Sequence, residues 1–522
     1  MNVSIGLDIG TTQTKAVAFT DEAQEAASAY FRYPLIQETQ GMAEQDQELI
    51  FQGVCTVIKE VIKQLPSDTI IQFVSFSSAM HGLILLDEEK TPLSRMITWA
   101  DNRAADEAEK LKYTVLGKEF YRQTGTPIHP MTPLNKIKWL QNSQPELFKK
   151  TAYFVGIKDY IFYRLFGELI SDYGTASGTG YFDIHEFQWA EEVLDYLNIR
   201  IEQLPQVFPS TYQVTGLPSK TAAELGLPND ISFVLGGADG PLSNLGLGAF
   251  GDTIAALTVG TSGALRFITT QPQFHPEMET FCYVLDQKHW VVGGATSNGA
   301  GIFDWAGHTF LQEVVQSAKE KGENPYDALL SAIAFVPAGA NGLIFHPYLL
   351  GERAPLWDAD AFGSFIGLQR QHTEKEMMKA ILEGICLNLY RILKGVCQEN
   401  QLTEIRATGG FAQSPIFRQM MADVLGYPLV FPTVTEASAL GAVILGWRSI
   451  GKIQSISEAQ ELIELKEQVG VQETDHKKYQ KIYPLFVSTQ KHLAQTYQQF
   501  AQLREELADS EKMIGFTGKK AN

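Results

Sequence analysis

The stretch Asp8-Ile9-Gly10-Thr11-Thr12-Gln13-Thr14-Lys15 follows one alternating apolar run, Val3, Ile5 and Leu7, and precedes a second, Ala16, Ala18 and Phe19. A period of two on both sides predicts a strand, a polar tip and a returning strand. Gly10 lets the backbone turn tightly, so that successive N–H groups can converge on an anion. Thr11 and Thr12 add hydroxyl donors and Lys15 adds a positive charge, while Asp8, at the strand end, is where a carboxylate would hold Mg²⁺ through water. The same residues also suit an ordinary polar hairpin with Asp8 as the turn former.

Outward from this tip, Leu49, Ile50, Val54, Val57, Ile58, Val61 and Leu65 recur at helical spacing, and Ile71 to Phe76 and Leu83 to Leu86 read as short strands. Strands alternating with helices predict an α/β sheet. Between Leu204 and Asp230 four prolines accumulate without amphipathic period, which predicts a connecting stretch. A second strand-glycine-strand unit then runs from Thr253 to Thr269 with Gly260-Thr261-Ser262-Gly263 at its tip, which suggests two halves of related architecture. A third glycine loop, Thr408-Gly409-Gly410-Phe411-Ala412-Gln413-Ser414, sits between a strand and a helix, and its bare glycines leave room for a flat ring against the backbone. Each tip alone is compatible with a plain turn; three after three strands point to a nucleotide cleft. The box Thr373-x-x-Glu376 predicts the start of a helix reaching Gln398. No G-x-x-x-x-G-K-[ST] occurs, and the G-x-G-x-x-G at Gly246 to Gly251 leads into a strand, so neither a P-loop nor a dinucleotide fold is indicated.

Gly236-Gly237-Ala238-Asp239-Gly240 closes another apolar strand. A carboxylate flanked by glycines can be approached closely by substrate, and Asp239 could accept the proton of an attacking alcohol; an Asp in a glycine-rich turn is the plainer reading. Ser77-Ser78-Ala79-Met80-His81-Gly82 and Thr98-Trp99-Ala100-Asp101-Asn102-Arg103 offer the donors, acceptors and aromatic wall that a polyol needs. Singly, His81 reads as a structural histidine and Arg103 as a surface ion-pair partner.

The 522 residues are 44% hydrophobic, 20% charged and 11% aromatic, with net charge −18. That is globular composition, and the acidic balance disfavours nucleic acid and anionic membranes as partners. Cys55, Cys282, Cys386 and Cys397 are scattered without metal or disulfide spacing and are expected to be reduced thiols of a cytoplasmic enzyme. No signal-peptide pattern precedes the first strand. Ala328 to Gly351 lacks charged residues, yet Pro337, Gly339, Asn341, Gly342 and Pro347 interrupt it, predicting helix, turn and buried strand rather than a membrane span. The C-terminal end reads as a charged helix with a loose tail at Gly518 to Asn522.

With these residues assembled, the chain resembles the FGGY family of carbohydrate kinases from Val3 to about Gly451. Met131-Thr132-Pro133-Leu134-Asn135-Lys136-Ile137-Lys138-Trp139 is similar to the family's first signature. Gly363-Ser364-Phe365-Ile366-Gly367-Leu368, followed by Glu376 to Glu383, is similar to its second. The resemblance implies a two-lobed actin/hexokinase-like (ribonuclease H-like) α/β fold with an interlobe cleft. The N-terminal lobe, residues 1–247, would carry the sugar site, the first phosphate loop and the catalytic aspartate; the C-terminal lobe, 248–522, the second phosphate loop, the adenosine site and terminal helices. It implies ATP and Mg²⁺, with Gly10, Thr11, Thr12, Lys15, Gly260 and Thr261 around the phosphates, Gly409, Gly410 and Ser414 near the adenosine, Asp8 on the metal and Asp239 as base. Met80, His81, Trp99, Asp101, Arg103, His129 and Met131 would line the sugar pocket.

Ketopentose kinases of this family usually carry Gln-Met-His-Gly where this chain has Ala79-Met80-His81-Gly82. The stretches 77–81, 98–103, 125–131 and Phe345 to Pro355 instead resemble the gluconate-phosphorylating bacterial members. The expected reaction is therefore phosphorylation of gluconate at its 6-hydroxyl, with Arg103, His81 and His129 as candidates for reading the carboxylate. A pentulose or polyol kinase is the alternative, a nucleotide-switched binding protein of the actin and chaperone type a remote one. The expected partner is a small sugar acid or sugar; a homodimer is left open.

Overall fold

The structure is a computed structural model. It describes residues 1–396 and 402–517, so Cys397, the last predicted residues of the helix to Gln398 and the tail from Gly518 to Asn522 lie outside the described residues. In chain order the elements that position the site are β1 (Asn2–Ile9), β2 (Gln13–Thr20), β3 (Glu25–Arg32), α1 (Gln47–Lys63), β4 (Ile70–Ser78), β5 (Gln213–Val214), β6 (Ser232–Ala238) and α2 (Asp239–Gly246). In the second half come β7 (Ile254–Val259), β8 (Gly263–Thr269), β9 (Phe281–Asp286), β10 (His289–Thr296), α3 (Glu374–Val396), β11 (Glu404–Thr408), α4 (Pro415–Leu425), β12 (Leu429–Pro432), α5 (Ala437–Ser449), β13 (Leu465–Val469) and α6 (Glu473–Thr517).

Two sheets share one plan. The first has the order β5-β6-β4-β1-β2-β3 and the second β9-β10-β8-β7-β11-β12-β13. In each, a central strand (β1 or β7) pairs antiparallel with the strand that returns from its glycine tip and parallel with a strand reached by a helical crossover. A second parallel strand and an antiparallel edge strand complete that side. The second sheet has β9 as an extra edge strand. This is the duplicated two-lobed α/β architecture that the paired tips suggest, with the cleft between the sheets.

Local chemistry starts the helices. Asp46 caps α1, its carboxylate accepting from the amides of Glu48 (2.8 Å) and Leu49 (3.2 Å), and Ile50, Val54, Val57, Ile58 and Val61 face the sheet. The box before α3 forms, with Glu376 accepting from the Thr373 amide at 3.0 Å. Residues between the second and fourth prolines of the 204–230 stretch do more than connect. Gln213–Val214 is the edge strand β5, and Ser219–Leu225 is a helix. The uncharged segment 328–351 is helix to Ile333, a turn at Gly339 to Gly342 and a strand at Ile344–His346. No helix among the described residues is long and apolar enough to cross a membrane.

β1 is buried on both faces, Ser4 and Gly6 as well as Val3, Ile5 and Leu7. The reason is α5, a helix of the second half that lies on the first sheet. A Cβ on Gly6 would stand 2.2 Å from the carbonyl oxygen of Ala439, and Ser4 accepts from the indole of Trp447 at 3.1 Å. α5 also crosses α2 with backbones in contact, since a Cβ on Gly441 would reach the Leu242 oxygen at 2.0 Å. The two halves are joined at the elements that begin with Asp239 and Ala437.

Candidate active site

One cavity of about 350 Å³ opens between the halves. Thr11 of the first tip, Gly260 and Ser262 of the second, and Asp239 at the start of α2 all border it. Met80, His81, Trp99 and Met131 of the first half and Arg266, Tyr283, Arg353 and Trp357 of the second also line it.

Each tip is braced from elsewhere in the fold. The Gly10 amide donates to Gln13 O at 3.0 Å, Tyr33 Oη donates to Gly10 O at 2.6 Å, and the indole of Trp99 donates to Thr11 Oγ1 at 2.7 Å. At the second tip the Gly260 amide donates to Ser262 O, and Gly299 and Ala300, which open a helix, donate to the carbonyls of Thr261 and Gly260. Gly409, at φ +107°, backs this tip so closely that a Cβ there would lie 2.2 Å from Val259 O. Only glycine fits such a conformation and approach. Gly410 has nothing near its absent Cβ. Ser414 is buried and caps α4, its hydroxyl accepting from the Phe417 amide at 3.3 Å.

Asp239 Oδ1 accepts from the Gly240 amide at 2.7 Å. Burial pushes its carboxyl above the ordinary range, and the guanidiniums of Arg266 and Arg353 oppose that shift. Asp8 is pushed up to about 7, by burial first and then by the nearby Asp239 carboxylate, against a 2.8 Å hydrogen bond from Ser77. Lys15 Nζ is paired with Glu436 Oε1 at 2.6 Å. Thr12 and Thr261 are exposed on their tips.

His81 has φ +65°, places Nδ1 2.6 Å from Gly178 O and Nε2 3.4 Å from Tyr283 Oη, and is pushed down to about 3 by burial. Its ring is neutral, with Nδ1 the donor to the carbonyl and Nε2 left to accept. Lys136, fully buried, donates to the carbonyls of His81 (2.6 Å) and Thr98 (2.7 Å). One ammonium thus ties together both loops that carry the sugar-side residues.

Three residues expected at the sugar are placed otherwise. Arg103 Nη2 is 2.6 Å from Glu44 and 2.8 Å from Asp101, and its guanidinium lies over the Trp139 ring at 4.6 Å. Asp101 spends its other contacts on this pair and on the Ala43 amide. His129 receives the Met131 amide at 3.3 Å and meets Trp357 edge-on at 5.7 Å, and burial holds it well below the usual imidazole range. None of the three borders the cavity. A charge already neutralised by two carboxylates, and an imidazole kept uncharged, have little left for a ligand carboxylate.

The cations that do border the cavity are Arg266 and Arg353. Arg353 lies over the Trp99 ring at 4.7 Å and donates through Nη2 to Thr296 O at 2.9 Å. Its neighbour Glu352 anchors the segment by accepting from Thr296 Oγ1 (2.6 Å), the Ser297 amide (2.7 Å) and Asn388 (3.0 Å). Arg266 Nη1, Arg353 Nε and Trp357 Nε1 are buried without a hydrogen-bond partner among the described residues. Leaving a buried donor unpaired costs about 1–3 kcal/mol. The sequence held one signal for Arg266: it is the lone charge in the apolar strand Gly263–Thr269.

Two glycine tips and a half-buried carboxylate meeting across a cleft between like-built halves define a phosphotransferase site. The model of the FGGY family of carbohydrate kinases, N-terminal domain, matches residues 3–246, and that of the C-terminal domain matches 255–450; the chain belongs to the FGGY family of carbohydrate kinases. As a kinase of that family it takes ATP as phosphoryl donor. It is 41% identical to the gluconokinase of Bacillus subtilis (strain 168), over 95% of this chain and 97% of the relative. Two solved structures from Lactobacillus acidophilus are each 37% identical to it over 96% of this chain. One is described as gluconate kinase (TM-score 0.89, 99% of that chain) and the other as ligand-bound xylulose kinase (TM-score 0.90, 100% of that chain).

Proposed function

We propose that this protein is a gluconokinase, transferring the γ-phosphoryl group of ATP to the 6-hydroxyl of D-gluconate to give 6-phosphogluconate and ADP. Likeness to solved structures does not choose between an acid and a ketopentose, because both are represented at equal identity. The observation that carries the choice is the set of three unpaired buried N–H donors on Arg266, Arg353 and Trp357, all residues of the cavity wall. A wall of donors calls for a ligand rich in acceptors, and a carboxylate supplies two oxygens and a charge to match a guanidinium. The kinship with the Bacillus gluconokinase supports the same reading.

In this reading the lobes divide at residues 247 and 248, and the enzyme works in the cytoplasm. Asp239 accepts the proton of the 6-hydroxyl as that oxygen attacks the γ-phosphorus. The bond from phosphorus to the β,γ-bridging oxygen breaks and ADP leaves. Amides of the two tips, with the Thr11, Thr12 and Thr261 hydroxyls, receive phosphate oxygens in orientations fixed before reaction. Lys15 exchanges Glu436 for a phosphate. The Gly409 and Gly410 backbone faces the adenosine, with Ser414 holding the helix behind it. Met80, neutral His81, Trp99 and Met131 hold the carbon chain, and lobe approach excludes water.

The residues fit Mg²⁺. Asp8 is disfavoured as an anion by burial first and then by the carboxylates of Asp239 and Glu436, and a divalent cation relieves the second conflict. Magnesium needs only one or two protein carboxylates beside phosphate oxygens. Asp8 would hold it, and when bound it neutralises charge on the β- and γ-phosphates.

The test is ADP release measured with D-gluconate, D-xylulose and glycerol as acceptors. Gluconate is expected to give kcat/KM about tenfold or more above either neutral acceptor, the worth of a charge-assisted hydrogen bond. Equal or faster turnover of D-xylulose would overturn the reading.

A further inference from the structure

Arg353 and Trp357 ride on a segment of the second half, residues 351–358, and part of what holds that segment comes from the first half. Lys112 ends the helix Ala105–Lys112. Its Nζ donates to the backbone carbonyls of Leu356 at 2.9 Å and Trp357 at 2.7 Å. The residue is buried, with the carboxylates of Asp358 and Glu109 offsetting the burial of its charge. Glu109, one turn earlier, accepts from Gln498 of α6 at 2.9 Å, a second tie from the same helix to the second half.

The segment needs holding. Trp357 has φ +49°, a conformation that bulky side chains rarely adopt and that persists only where surroundings enforce it. Its own carbonyl is one of the two that Lys112 grips. Its indole, 4% exposed, presses on His129 of the first half and borders the cavity with its N–H unpaired. Four residues before it, Arg353 lies over Trp99 of the first half. A buried ammonium is an expensive way to satisfy two carbonyls, which argues for a duty beyond packing.

We propose that Lys112 is a positioning residue for the sugar substrate: by gripping the 356 and 357 carbonyls from the opposite lobe, it fixes the Trp357 indole and the Arg353 guanidinium in the cavity wall. It touches neither substrate nor nucleotide and acts through those two side chains. The proposal rests on the reading of the cavity as the acceptor site, and on gluconate only for the choice of acceptor.

Steady-state kinetics of the full-length chain test it, with Lys112→Met, Lys112→Arg, Trp357→Phe and the Met/Phe double variant. Lys112→Met is expected to raise KM for the acceptor about tenfold, with kcat and KM for ATP within about twofold of the parent. Lys112→Arg, which keeps donors on a long stem, should recover most of the loss. The double variant should lose less than the product of the single losses, because both changes release one segment. An unchanged acceptor KM, a parallel rise in KM for ATP, or single effects that multiply independently would overturn the proposal. Should Lys112→Met not fold, Lys112→Gln keeps one N–H donor and carries the same comparison with a smaller expected rise. If the parent prefers a neutral polyol, the gluconate reading falls, and the KM split measured on that polyol still decides the role of Lys112.

Discussion

Asp239 and Arg353 border one cavity with opposite charges, and substitution should separate their duties. Asp239→Asn keeps the shape and removes the proton acceptor. Its kcat should fall by about 10²–10⁴ while KM for ATP stays within about twofold, as steady-state rates at saturating gluconate would show. Arg353→Met should raise KM for gluconate about tenfold relative to a neutral polyol. Arg103→Gln should leave that ratio unchanged, because Asp101 and Glu44 already hold its guanidinium. A shift in the ratio for Arg103→Gln, or none for Arg353→Met, would reverse the assignment. The place of Asp239 at the end of an apolar strand was legible, although its glycines suited a plain turn as well; that it borders the cavity is spatial. The cation was not. One arginine resembles another in a sequence, and what sets them apart is spatial: Glu44, 59 residues from Arg103 in sequence, closes on it, whereas Nη1 of Arg266 and Nε of Arg353 are left unpaired.

Among elements, α5 and α6 carry the sharpest consequences. A Cβ on Gly446 would stand 2.0 Å from the Phe73 ring, where α5 lies on the first sheet. Gly446→Ala is therefore expected to destabilise the protein by about 1–3 kcal/mol, read as a lower urea midpoint; an unchanged midpoint would mean that α5 can move off the sheet freely. α6 is tied to α3 through Glu383, which accepts from Tyr479 Oη and the Gly339 amide, each at 2.9 Å. Burial pushes the Glu383 carboxyl up to about 7. A raised acid favours the folded state while protonated, so its contribution is complete below the ordinary glutamate value of 4.5 and is lost as pH rises through about 7. Glu383→Gln keeps an acceptor and removes the titration. The Tm of the parent should decline from pH 5 to pH 8 more steeply than that of the variant, and parallel curves would contradict the shift. The helix start at Thr373 was legible because caps are local. The edge strand Gln213–Val214 was not, since two residues give no period and its pairing is decided by Phe233 and Val234.

At the scale of the whole molecule, two sheets of one plan were visible in outline as two glycine tips after two apolar strands. Their junction was hidden. Nothing local in Gly6 announces that Ala439 will lie against it, because the contact joins residues more than four hundred apart and only the assembled halves create it. The same holds for the segment that brings Arg353 and Trp357 to the sugar end, whose support from Lys112 crosses 244 and 245 residues of chain.

The most direct measurement of the account is the site of the new phosphate ester, determined by ³¹P and ¹³C NMR on D-gluconate incubated with ATP and Mg²⁺. Phosphorus coupled to C6 with the parent enzyme, and no detectable ester with Asp239→Asn over the same interval, is the predicted result. An ester at another carbon, or formation of the C6 ester by Asp239→Asn at the parent rate, would contradict it.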